Sequence, residues 1–199
     1  MVDNLMENVN RLGPELILLA VAGVIILADA AAMLLNRRPA RGQRLAMAAL
    51  ALAAALASIL WSGLLVAFDE DGEAFKGVLV VDDFSLFFNF LFASIAVIIV
   101  LASIDYIQRS PFYAEYYALV LTSTAGLMLL VSTLDLIAIF IALELVGVTL
   151  YILVGFLKDG RSAEAGLKYL LLGAVSSAVA LYGMAILFGL SGSTDLREI

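Results

Sequence analysis

Six blocks of roughly twenty apolar residues recur along the 199-residue chain, and that repetition settles the fold class. A block of this length crosses a hydrocarbon core of roughly 30 Å as one α-helix. The composition agrees: 64% of residues are hydrophobic, against about 45–50% in an ordinary soluble domain. The predicted spans lie near residues 15–35, 45–68, 84–106, 113–132, 134–157 and 163–190. The class is therefore an all-α, polytopic membrane protein, a single transmembrane domain over residues 1–199. Gly13 and Pro14 open the first span, where proline costs a helix least. No basic segment precedes it, so it reads as a span and not as a cleaved signal peptide. No soluble domain, low-complexity linker or internal repeat stands out.

The loops predict an orientation. Between the first two spans lies "NRRPARGQR", carrying Arg37, Arg38, Arg41 and Arg44. Short basic loops stay on the cytoplasmic side. The next loop, Asp69 to Asp83, is acidic and belongs outside, and its "KGVLVVDDF" stretch suggests a short extended element. Arg109 and the pair Lys158 and Arg161 fall inside by alternation. The N-terminus and the "SGSTDLREI" tail then face outward. Trp61 and "PFYAEYY" read as interfacial aromatics.

Several chemistries are excluded. With no cysteine and no histidine, the chain builds no disulfide, thiol nucleophile, Cys/His metal site or His-ligated haem. A formal charge of −7 argues against a nucleic-acid partner.

What remains is a small set of charges inside apolar runs. Glu144 sits near the middle of "IAIFIALELVGVTLYILVGF", where a carboxylate costs about 2.5–3.5 kcal/mol on insertion scales. Two readings are open: a proton relay, or a protonated acid bonded to a neighbouring helix. Intramembrane acids favour the relay. Gly147, Tyr151 and Gly155 share its side of the helix, which suits close helix packing and adds one hydroxyl. Lys168 lies a turn or so into the sixth span, with Glu164 four residues before it in the order that favours a helical ion pair. By periodicity alone it reads as a lysine snorkelling to the cytoplasmic interface, with a relay as the alternative. Glu144 lies roughly 20 Å and Lys168 roughly 8 Å from that face, so direct contact between them is not expected. Asp29 reads first as an interfacial acid beside the arginine-rich loop, and second as a pathway residue. Asp135, Asp82 and Asp83 precede helices and read as caps.

The strings "GPELILL", "VDDFSLFFNFLF", "YYALVLTSTAGLMLL", "DLIAIFIALELVGVTLYILVGF", "SAEAGLKYLLLGAVSSAVALYGMAILFGLSG" and "GSTDLREI" together resemble subunit N of bacterial NADH:quinone oxidoreductase, complex I, and its mitochondrial counterpart, NADH dehydrogenase subunit 2. The likeness is collinear over nearly the whole chain. It implies an antiporter-like fold that moves protons as the enzyme reduces quinone. The family's fifth-helix glutamate corresponds to Glu144, its sixth-helix lysine to Lys168 and its first-helix aspartate to Asp29. It also implies other membrane subunits of complex I and lipid as partners, in a bacterial plasma membrane. NADH, flavin, iron–sulfur clusters and quinone then belong to the parent complex, with no cofactor or metal on this chain. Gly147 and Thr149 stand where the family often has serine and then proline. The family's seventh-helix lysine, the usual partner of its glutamate, has no counterpart before Ile199, so the likeness covers about the first two-fifths of such a subunit. Two other functions fit the same residues: a subunit of a multisubunit cation/proton antiporter, and a non-transporting assembly or anchor subunit.

Cysteines introduced at Gln43 and Gly72 are expected to react with impermeant reagents from opposite faces of the membrane. Labelling of both from one face would contradict the six-span reading.

Overall fold

In the computed structural model, residues 8–35, 41–68, 72–75, 77–107 and 110–199 are described. Six helices account for most of them: α1 (Gly13–Leu34), α2 (Arg41–Ala67), α3 (Asp83–Ile107), α4 (Tyr113–Val131), α5 (Leu136–Val154) and α6 (Gly160–Ser191). All six are long and apolar enough to cross a membrane. Strands β1 (Gly72–Ala74) and β2 (Leu79–Val81) form an antiparallel hairpin between α2 and α3, with Glu73 opposite Val80. The expected extended element is β2. Arg37, Arg38, Arg109 and residues 69–71 of the acidic loop lie outside the described residues.

The helix ends are chemically specified. Pro14 stands in the first turn of α1. Asp135 is the N-cap of α5, and its carboxylate accepts from the backbone N–H groups of Ile137 and Ala138 at 2.9 and 3.0 Å. Burial pushes the Asp135 carboxyl up, but the Thr194 hydroxyl and these two amides outweigh it and hold the group below its ordinary value. Asp159 and Ser162 close a capping box at the start of α6. The Ser162 backbone N–H and hydroxyl hold the Asp159 carboxyl low. Asp82 caps α3 in the same way, accepting from the Ser85 backbone N–H at 2.8 Å. Asp83, expected as a cap, is instead the first residue of that helix. Gly192, at φ 76°, ends α6 in the left-handed region that glycine adopts without strain.

Helix α4 is the centre of the packing and touches α1, α2, α3 and α5. Its Tyr113, Tyr117, Leu121 and Met128 are fully enclosed by Leu18, Ala22 and Ile25 of α1, by the alanines of α2 and by Ala93 and Val100 of α3. Lipid is as apolar as leucine, so close van der Waals contact must hold helices together there. The alanine repeat of α2, with Ala48, Ala51, Ala54 and Ala55 all buried, allows that approach.

One end of the bundle is stitched by backbone hydrogen bonds. Val80 N–H donates to Ser132 at 2.6 Å, Leu136 N–H to Thr194 at 2.8 Å and Leu196 N–H to Leu134 at 2.8 Å. The hairpin, the α4–α5 connection and the segment after α6 thus form one cap, reinforced by an ion pair between Arg197 and Glu73.

The aromatics of "PFYAEYY" depart from expectation. Tyr113 and Tyr117 are each only 1% exposed and sit in the core. They fall on the face of α4 that meets α1, which a composition-based reading of an aromatic cluster cannot separate from an interfacial one.

Helix α6 is attached differently. Among its described residues only Gly166 is buried. A Cβ at Gly166 would lie 3.0 Å from Gly155 Cα, so two glycines let the α5 and α6 backbones touch. Gly166→Leu is expected to destabilise the α5–α6 pairing by roughly 1–3 kcal/mol, as overpacking does. Gly183, with nothing within 4 Å, serves as the control. Unfolding of the two leucine variants in mixed micelles should separate them, and equal stability would contradict the close glycine contact.

Candidate intramembrane proton site

Glu144 is the ninth residue of the 19-residue α5, close to its midpoint. The helix buries Leu136, Ala142, Val146 and Thr149. Val146 and Leu145 press onto Gly126 of α4, where an added Cβ would come within 2.8 Å of Val146. The strip of α5 toward α6 is different. Phe140 lines a cavity of about 290 Å³ with Leu181, Met184 and Phe188 of α6. Farther along, Tyr151 and Gly155 meet Gly173 and Gly166 of α6. Glu144 lies between these two contacts and is half-buried.

Tyr151 belongs to the same seam. Its ring stacks edge-on against Tyr169 of α6, with centroids 5.0 Å apart at 88°. Its hydroxyl occupies the space a side chain at Gly173 would fill, and packs on Gly147, one turn from Glu144. Glycine at 147 and 173 is what makes room for a phenol there. The expected sharing of one face by Glu144, Gly147, Tyr151 and Gly155 is therefore the arrangement found. The antiparallel register of these contacts also brings the Ser177 turn of α6 to the level of Glu144. Ser177 was not a sequence candidate. A helical serine gives no signal until the register of the facing helix is known.

Lys168 stands apart. It is ion-paired with Glu164, and the two side chains are 69% and 66% exposed. It follows Gly166 by two positions, roughly 200° around the helix, so it faces away from α5. The level of Glu144 is about ten residues farther along α6, or roughly 15 Å. The structure thus sets Glu144 and Tyr151 on one face of α5 and keeps Lys168 with Glu164, in line with the absence of direct contact expected from spacing.

Asp29 is enclosed between helices, close to Arg44 of the arginine-rich loop. It is 6% exposed and accepts a 2.9 Å hydrogen bond from the Tyr113 hydroxyl. Arg44 lies over the same tyrosine ring, 5.4 Å from its centroid. Leu18, Ala22, Ile25 and Asp29 form one buried stripe of α1 against α4. Sequence reasoning also passed over Glu15, which is 2% exposed and pairs with Asn89. An acid in the first turn of a helix ordinarily signals only the helix dipole. Among the described residues, no group of three or more carboxylates could hold a metal ion.

Three comparisons fit this architecture. The transmembrane model of the NADH:quinone oxidoreductase/Mrp antiporter family matches residues 133–199, which hold α5, α6 and Glu144. An NADH-quinone oxidoreductase subunit N from Dehalococcoides mccartyi is 38% identical over 188 residues, 94% of this chain and 37% of that protein. A chain of respiratory complex I from Thermus thermophilus, solved with bound aureothin, superposes with a TM-score of 0.70 at 31% identity, covering 90% of this chain and 38% of that one. A chain of the membrane-bound sulfane sulfur reductase, an archaeal respiratory membrane complex, gives a TM-score of 0.72 at 19% identity over 92% of this chain, a likeness of fold alone. The chain spans less than two-fifths of the length of these relatives. Over at least 90% of its length the chain is similar, in sequence and in fold, to part of subunit N of NADH-quinone oxidoreductase and to part of a complex I chain.

Proposed function

We propose that the chain acts within an NADH:quinone oxidoreductase, as part of a proton-translocating membrane subunit, with Glu144 as the group on which a proton pauses. The observation that carries this reading is a carboxyl at the midpoint of α5, set in a seam that α6 covers only loosely. An acid fixed for packing alone would be enclosed, as Asp29 is. Glu144 instead lies on a face where the Tyr151 hydroxyl packs on Gly147, one turn away, with a serine turn across from it.

The chemistry asked of Glu144 is a change of charge. In hydrocarbon the neutral form is favoured, because desolvation penalises the carboxylate. A cation brought near reverses the preference and releases the proton. Within the described residues Lys168 is too far away and faces outward, so the cation that acts on Glu144 comes from a partner helix. Lys168 and Glu164 form a second charge pair on α6, nearer the start of that helix. Change in the separation of that pair is how Lys168 would pass charge toward the seam. Tyr151 and the Ser177 turn would carry the proton along it.

The remaining proposals follow from the same reading. The partners are the other membrane subunits of the complex and the surrounding lipid. Redox cofactors and NADH oxidation lie elsewhere in the complex. The chain sits in the bacterial plasma membrane, with its N-terminus and hairpin cap on the outer face. The family description also covers Mrp antiporters, and pumping that requires sodium would point to that function.

Glu144→Gln keeps the shape and hydrogen bonding of the neutral acid but cannot ionise. In the assembled enzyme it is expected to insert normally and to abolish most redox-driven proton uptake into vesicles, with Glu144→Asp intermediate. Lys168→Ala should lower pumping while leaving assembly intact. Parent-level pumping by a well-assembled Glu144→Gln enzyme would reduce Glu144 to a packing residue.

A further inference from the structure

At the hairpin end of the bundle, α1 and α3 enclose a second carboxyl that the route above does not use. Glu15 is 2% exposed and Asn89 is 4% exposed. The Asn89 amide nitrogen donates to Glu15 Oε1 at 3.4 Å. The other oxygen of each side chain, Glu15 Oε2 and Asn89 Oδ1, is buried with no hydrogen-bond partner. Buried polar atoms in proteins are nearly always paired, so two orphans on one interacting pair need an explanation.

Both orphans are acceptors, and that fact supplies it. An ionised Glu15 is acceptor-only, and so is the amide oxygen beside it. The ionised pair would leave a full buried charge supported by its own backbone N–H and one long amide N–H bond. One proton on Oε2 changes both atoms at once. Oε2–H becomes the missing donor and Asn89 Oδ1 its acceptor, while Asn89 N–H still donates to Oε1. A carboxylic acid and a primary amide then close a ring of two antiparallel hydrogen bonds.

Among the described residues, the groups that surround the carboxyl have other engagements. The polar groups that meet the carboxyl are its own backbone N–H and Asn89. From α2, the Trp61 ring covers Gly13 and its N–H goes to the Asn10 carbonyl. Ser62 donates to the Ser58 carbonyl and Ser58 to the Met128 sulfur of α4. Arg11, one turn before Glu15, donates to the Glu73 carbonyl in the hairpin. On α3, Asp82 is engaged with Ser85 at the cap.

We propose that Glu15 and Asn89 form a second intramembrane proton-binding site, an acid–amide pair that holds one proton between α1 and α3. Release of that proton breaks the ring. The protonation state of Glu15 is therefore tied to the packing of two helices, at the end of the bundle where the hairpin cap closes. The site stands whether or not Glu144 carries protons.

The test is isotope-edited infrared spectroscopy of the full chain in lipid vesicles at neutral pH, with carboxyl-labelled glutamate. The parent should show a protonated-carboxyl C=O band that Glu15→Gln removes and that Asn89→Ala shifts to higher frequency, because the amide donor is gone. Superimposable spectra for the parent and Glu15→Gln in that region would overturn the proposal. So would a carboxylate band at Glu15 that responds to sodium or potassium, which would make this a cation site. If Glu15→Gln does not accumulate, Asn89→Ala decides alone: an unmoved band contradicts the acid–amide ring.

Discussion

Hydrocarbon offers a charged side chain no solvent, and every polar feature of this bundle is an answer to that condition. A carboxylate there is costly unless it is neutralised, paired or given a hydrogen-bonding shell. The chain uses a different answer at each site. Asp29 receives a phenolic hydrogen bond from Tyr113 within the α1–α4 contact. Lys168 has Glu164 one turn away. Glu15 has an amide partner in Asn89. Glu144 is less enclosed than Asp29 or Glu15, and it lies where two helices meet through glycine and tyrosine.

The packing makes these answers possible. Helix α4 fixes the first three helices through a core of tyrosine, leucine and methionine set against alanine. Helix α5 then docks on α4 through Gly126, and α6 docks on α5 through Gly155 and Gly166. Burial falls along that series. The α1–α4 contact is built from fully buried side chains, whereas α6 buries one residue. The seam holding Glu144 is thus bordered on one side by the best-packed part of the chain and on the other by the least. A cap of backbone hydrogen bonds ties the far end of α6 to α5 and to the hairpin, so the seam is pinned at its ends and loose in its middle.

Much of this was legible in the sequence. Helix number and approximate position follow from block length and hydropathy, which reflect the thickness of the membrane and need no tertiary information. The caps at Asp135 and Asp82 were legible because capping is local. The Glu144–Gly147–Tyr151–Gly155 face was legible from helical period alone. Partners across helices were not. Asp29 and Tyr113 are 84 positions apart and Glu15 and Asn89 are 74 apart, and neither local composition nor periodicity encodes such pairings. Ser177 was invisible for the same reason, since its relevance depends on the register between α5 and α6. Tyr113 and Tyr117 were misplaced because an aromatic cluster at a helix start suits the interface and the core equally well until the neighbouring helix is in place.

The central claim of the proposed function is that Glu144 changes charge during turnover of an NADH:quinone oxidoreductase that contains this chain. Redox-triggered infrared difference spectroscopy on the assembled enzyme, with labelled glutamate, addresses it most directly. The account predicts a reversible change in a protonated-carboxyl band that follows turnover and is absent when residue 144 is glutamine. Turnover with full pumping and no such Glu144-dependent band would contradict it.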